Sequence, residues 1–276
     1  MIPAGFEYHR PADIASALSL LQTHGDEARV IAGGHSLIPM MKLRMADLSH
    51  LIDLQDIEGL KGITISADTV TIGAMTTQNE LITNDELSRR IPILREAALL
   101  IADPQVRYVG TVGGNVANGD PGNDMPGLMQ CLGAVYTLEG PDGSRAVAAR
   151  DFYEAAYFTA REDEEILTQI TIPVPSMSGF AYEKQKRKIG DYATAAAAVM
   201  VGGGNASVAM TNLSDTPIYS AEASDALAKG DVDGCVAAAL DAIDPQEDMR
   251  GPIAFKKHVA EVILRRAIAK AQERAA

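Results

Sequence analysis

The sequence predicts an α+β protein built as three successive units, and three observations predict it. The first part of the chain alternates short apolar runs with an amphipathic helical pattern. The middle carries period-two runs across turn residues, interrupted by helical segments. The segment Pro173-Val174-Pro175-Ser176-Met177-Ser178-Gly179 then separates these from a last stretch where strands give way to long helices. The expected boundaries are 1–57, 58–175 and 176–276.

In the first unit Pro11 is placed to open a helix through Ile14, Leu18 and Leu21, and Gly25 to close it. Arg29, Val30 and Ile31 read as a buried strand, 38–45 as a short helix and 51–54 as the next strand. A unit of about sixty residues needs a neighbour to complete its core. In the second unit, 62–66 and 69–73 alternate across Ala67-Asp68 as a hairpin does. Helices are expected over 78–81 and 92–101, with a turn at Asp103-Pro104. A long polar stretch then precedes a helix over 126–132, which Gly133 stops. A hairpin follows around Gly140-Pro141-Asp142-Gly143, and 165–172 is the last strand before the linker. The third unit reads as a three-stranded sheet, 180–187, 193–201 and 207–213, with a turn at Gly202-Gly203-Gly204-Asn205 and helices over 222–229, 236–243 and 253–272. The alanine run at 195–198 reads as tight packing.

Two glycine-rich segments stand out: Ala32-Gly33-Gly34-His35-Ser36 and Thr111-Val112-Gly113-Gly114-Asn115. Glycine opens backbone conformations closed to other residues, and successive amides in such a turn form an anion-binding concavity without lysine or arginine. Two concavities suit a diphosphate. In a chain with neither a Walker A nor a Rossmann fingerprint, the leading ligand of that description is FAD. The second segment runs on as Val116-Ala117-Asn118-Gly119-Asp120-Pro121-Gly122-Asn123-Asp124. Its Asn side chains, with Asp120 and Asp124, could hydrogen-bond ribityl hydroxyls or the adenosine ribose; the plain alternative is a solvated omega loop.

The paired glycine segments followed by Gly-Asp-Pro-Gly-Asn-Asp resemble the FAD-binding medium subunits of the molybdenum hydroxylases. Segments 101–108, 153–160 and 186–195 are similar, more narrowly, to the carbon monoxide dehydrogenase branch. The resemblance covers essentially the whole chain. It implies a vanillyl-alcohol-oxidase-like, PCMH-type, two-part FAD-binding domain plus a flavoprotein C-terminal domain. It also implies an electron-delivery role beside an iron-sulfur small subunit carrying 2Fe-2S clusters and a molybdopterin large subunit, in a dimer of heterotrimers. By the same resemblance Tyr192 and Thr194 border the flavin ring. Xanthine-oxidising relatives carry lysine where Thr194 falls, so no role transfers to that side chain. The competing readings are a flavin subunit acting with aldehydes, purines or N-heterocycles, and a self-contained FAD oxidase. The oxidase lacks support, because no cap domain is evident and no His or Cys is clearly placed for covalent flavin attachment.

Composition narrows the field further. A net charge of -13 argues against nucleic acid as a partner. It also means that local amides must supply any attraction for a diphosphate. Cys131 and Cys235 lie in apolar helical patterns and read as free buried thiols of a reducing compartment, too few for an iron-sulfur cluster. The histidines His9, His24, His35, His50 and His258 show no ligand spacing, so no metal site is expected. No secretory leader and no long apolar run is visible, so the expected location is cytoplasmic, with membrane contact only peripheral and through a complex. Gly34-His35-Ser36 is not a nucleophile elbow, since Ile38 stands where Gly-x-Ser-x-Gly needs glycine. No catalytic side chain is expected. Lys184, Lys186 and Lys188 read as a solvated basic strand end or as functional groups, and Arg187 with Asp191 as a structural ion pair.

Overall fold

The computed structural model describes residues 2–276. Its first sheet is parallel, in the order β1 (Glu7–His9), β3 (His50–Asp53), β2 (Ala28–Ile31). Helix α1 (Ile14–His24) crosses from β1 to β2. Asp13 caps it, accepting from the Ser16 amide, and Gly25 ends it at φ +49°. Parallel strands of one sheet require such crossovers. Helix α2 (Leu37–Lys42) lies between β2 and β3.

The second sheet is antiparallel and five-stranded, β4-β5-β10-β6-β7, formed by β4 (Ile63–Ile65), β5 (Thr69–Gly73), β6 (Val135–Gly140), β7 (Gly143–Ala148) and β10 (Ile166–Pro173). A small hairpin, β8 (Tyr153–Ala155) with β9 (Phe158–Thr159), leads into β10. Between β5 and β6 the chain is more helical than its glycines and prolines predict. It forms α3 (Gln78–Thr83), α4 (Asp85–Arg90), α5 (Pro92–Ala98), α6 (Pro104–Val109), α7 (Val112–Ala117) and α8 (Asp124–Leu132). Asp103-Pro104 is not the expected turn but the start of α6. The Asp103 carboxylate accepts from the Val106 amide, and Pro104 takes the first helical position, where its missing N–H costs nothing. Every residue of α8 is buried, as for a helix enclosed on all sides.

The third sheet has the three expected strands, β11 (Gly179–Gln185), β12 (Ala195–Gly202) and β13 (Asn205–Thr211). It gains a fourth at its edge, β14 (Ile218–Tyr219), too short to show as a sequence pattern. Helices α9 (Ala221–Ala228), α10 (Val232–Asp241) and α11 (Ile253–Ala275) follow. Strand β12 explains the alanine run. Its alternate residues Ala195, Ala197, Val199 and Val201 enter the core beneath α9–α11, while Ala196, Ala198 and Met200 enter the large core shared with the second sheet and α8. A strand buried on both faces between closely packed helices has room only for small side chains. Ions close the same seam, since Glu96 of α5 binds Lys270 at 3.0 Å and Arg274 at 2.8 Å, both from α11. Burial alone would raise the Glu96 carboxyl. The Tyr182 amide, Lys270 and Arg274 outweigh it and hold the pKa below the ordinary carboxylate value.

Cys131 and Cys235 are free and buried, and burial pushes both thiols up to about 11. No helix among the described residues is long and apolar enough to cross a membrane.

Candidate functional site

Strand β2 delivers the chain into the first glycine segment, which turns through Ala32–Ser36 into α2. Gly34 sits at φ +72°, where a side chain would be strained. Gly33 has another reason: a Cβ there would lie 2.5 Å from the Val109 carbonyl oxygen and 2.8 Å from Gly110 Cα. Among the described residues, the amides of Gly33, Gly34, His35 and Ser36 donate to no protein group. Ser36 precedes α2, but its hydroxyl caps nothing. The turn therefore offers consecutive free N–H groups and one free hydroxyl, and the His35 ring stays exposed.

The second segment differs from its sequence reading. It is not a loop but the N-terminus of α7, with Thr111 as N-cap accepting from the Gly114 amide at 3.1 Å. Neither Gly113 nor Gly114 has positive φ. Gly113 is required by contact, since a Cβ would stand 2.5 Å from Ala74 Cβ and 2.6 Å from its carbonyl oxygen. The Val112 amide donates to Thr76, that of Gly113 to Ala74 and that of Asn115 to Thr111. This segment thus has no open concavity of amides. It presents side chains instead, and the Asn115 Oδ1 is buried without a partner.

Tertiary folding brings the two segments together. Gly33 lies on the backbone of Val109-Gly110, and a Cβ on Gly114 would lie 3.4 Å from Ala32 Cβ. Thr77 bridges Thr111, and the next amide, Gln78, donates to the Gly110 carbonyl at 2.9 Å. The Gln78 side chain is buried and neither of its amide atoms has a protein partner. Sequence reasoning missed it, because a glutamine in the first turn of a helix carries no signal of burial. Unpartnered buried amides cost about 1–3 kcal/mol each, so Gln78 and Asn115 mark a place for a polar ligand.

The later candidates separate. Asp120 accepts from the Gly122 amide at 2.9 Å and faces Tyr157 and Tyr192. Tyr192 is partly exposed and packs on Gly122, with the Arg250 guanidinium 5.8 Å from its ring centroid. Burial, with Asp120 and Tyr157, pushes its phenol up to about 12. Thr194 is buried at the start of β12 and its amide donates to Gln185. Asp124 lies deep at the start of α8. Its two carboxylate oxygens accept from the Tyr182 hydroxyl and Lys184 Nζ, each at 2.7 Å. Desolvation raises the Asp124 pKa, and Lys184 opposes it. Asp124 is buried, with each carboxylate oxygen engaged by a protein donor. Lys184, 1% exposed, is correspondingly no solvated strand end. Arg187 and Asp191 form the expected ion pair at 3.1 Å.

The family described as "FAD binding domain in molybdopterin dehydrogenase" matches residues 4–175, and "CO dehydrogenase flavoprotein C-terminal domain" matches 180–271. The chain belongs to this FAD-binding family of the molybdopterin dehydrogenases. Within it, the chain stands with the carbon monoxide dehydrogenase medium chains. It is 56% identical to that of Afipia carboxidovorans, across 100% of this chain and 99% of the relative. It is 44% identical to that of Hydrogenophaga pseudoflava, across 100% of both. A crystal structure of a Cu,Mo-CO dehydrogenase in its cyanide-inactivated form matches with a TM-score of 0.96 and 56% identity over the full length of both chains. The site fits the family's cofactor: consecutive free amides in the first turn, and two buried amide side chains without protein partners.

Proposed function

We propose that this chain carries the FAD of an aerobic carbon monoxide dehydrogenase and serves as its electron-transfer subunit. The reaction CO + H2O → CO2 + 2 H+ + 2 e− takes place on a molybdopterin large subunit, and a small subunit with 2Fe-2S clusters relays the electrons. Bound FAD supplies the redox chemistry, joining one-electron arrival to two-electron delivery to a quinone-type acceptor. The amides of Gly33, Gly34, His35 and Ser36, with the Ser36 hydroxyl, receive the diphosphate. Ala32 supports that turn. Thr111 and Asn115 supply polar contacts from α7, while Val112, Gly113 and Gly114 let α7 approach closely. Asp120 faces the sugar hydroxyls, Tyr192 borders the ring and limits water there, and Asp124 holds the start of α8 in place. The phenol of Tyr192 keeps its proton throughout the neutral range. No side chain acts as general acid or base.

The row of free amides at Gly33–Ser36, packed on the Val109-Gly110 backbone in a chain of this family, is the observation that carries the reading. The complex is a dimer of heterotrimers in the cytoplasm, touching membrane only peripherally. The native complex should reduce a dye with CO, and the purified chain loaded with FAD should not. Turnover of CO by the chain alone, or a native monomer free of iron and molybdenum, would overturn the subunit reading. A complex that oxidises an aldehyde or N-heterocycle and ignores CO would move the chain to another molybdenum hydroxylase. Gly33→Val should lose the flavin through the 2.5 Å clash with Val109, and full flavin occupancy in that variant would contradict the placement.

A further inference from the structure

His9 at the end of β1, His24 at the end of α1 and His50 at the start of β3 are far apart in sequence, yet one ring nitrogen of each lies within 4.8 Å of the other two. His9 Nε2 is 3.0 Å from His50 Nδ1. The His24 ring stacks on that of His50 with centroids 3.7 Å apart, and His9 stacks on His24 at 5.4 Å. All three are half-buried. The absence of ligand spacing in the sequence argued against a metal site, but spacing reports only ligands on one local element. Here three elements of one parallel sheet unit supply one imidazole each.

Three imidazoles that converge this closely can each offer one ring-nitrogen lone pair to a single divalent cation. We propose that His9, His24 and His50 form a binding site for a borderline, imidazole-preferring divalent cation, with Zn2+ as the ion best suited. Zinc with N ligands at about 2.0–2.1 Å sets nitrogens roughly 3.4 Å apart, and the three nitrogens already lie within 4.8 Å of one another; binding requires the stacked His24 and His50 rings to turn until their in-plane lone pairs converge. The fourth position goes to water or to Glu7, whose exposed carboxylate has Oε2 3.7 Å from His50 Nδ1. The ion braces β1, α1 and β3, the frame that holds β2 and so the first glycine turn. It lies apart from that turn and takes no part in electron transfer.

The purified full chain, stripped by a chelator, is titrated with Zn2+ by calorimetry at neutral pH. One equivalent should bind, and His24→Asn should weaken binding by roughly a hundredfold or more, beyond what loss of a merely supporting group costs. His258→Asn, at an exposed position of α11, should leave it unchanged. A measurement on the unaltered chain guards against misfolded variants. One equivalent of Zn2+ should block diethylpyrocarbonate modification of His9, His24 and His50 while His258 continues to react. No zinc uptake, uptake that survives His24→Asn in a folded variant, or uptake without protection of the three rings would each overturn the site.

Discussion

The two glycine segments look alike in sequence and work in opposite ways. In Ala32–Ser36 the backbone is open, with consecutive amides free of protein partners and one glycine at φ +72°. In Thr111–Asn115 the backbone is closed on itself. The amides from Val112 to Asn115 are all taken up internally, and its glycines serve only to let α7 meet Ala74 and Ala32. A Gly-Gly pair therefore reports a need for a missing side chain, and only the surroundings decide whether that need comes from torsion, ligand approach or packing.

If the second segment is a packed support, its foundation should be costly to disturb. Lys184→Met leaves the Asp124 carboxylate buried without its cation, and urea unfolding should record a loss of about 3–5 kcal/mol. Adding Asp124→Leu should recover much of it. A loss under about 1 kcal/mol would show that the pair is solvated and the support reading wrong.

Asparagine substitutions separate the two kinds of glycine. Asn tolerates the left-handed region, so Gly34→Asn should cost under about 1 kcal/mol, the nearby Ile38 and Ile31 side-chain ends giving way. Gly113→Asn must push into the Ala74 backbone and should cost about 1–3 kcal/mol or more. Equal losses at the two positions would erase the distinction.

The hydroxyls make the smallest contrast. Thr111→Ala removes an N-cap and should lower stability by about 1 kcal/mol. Ser36→Ala removes no protein hydrogen bond, so stability should hold within about 0.5 kcal/mol. Its effect should appear in flavin titrations as a severalfold weaker affinity. A Ser36→Ala variant that lost stability but kept its flavin affinity would reverse the assignment.

Much of the fold is legible along the chain because strong local signals coincide. Gly25 closes α1, although the helix opens at Ile14 on the Asp13 cap rather than at Pro11; the hairpin residues 62–73 alternate cleanly, and the 173–179 linker lies where one matched family segment ends and the next begins. Where local signals conflict, reading fails. Proline and paired glycines disguise α6 and α7 as turn and loop, and β14 has two residues. The site is legible as segments rather than as roles. Asp124 and Lys184 look like solvent-facing polar groups until burial pairs them, and Gln78 gives no sign at all.

The order of elements, the pair of glycine segments and, through them, the family can be read along the chain, because these rest on torsional preference and short-range periodicity. Tertiary structure alone decided which amides stay free, which carboxylate is buried, and that His9, His24 and His50 meet. Those outcomes depend on desolvation and on contacts between residues distant in the chain, and neither leaves a mark on local sequence.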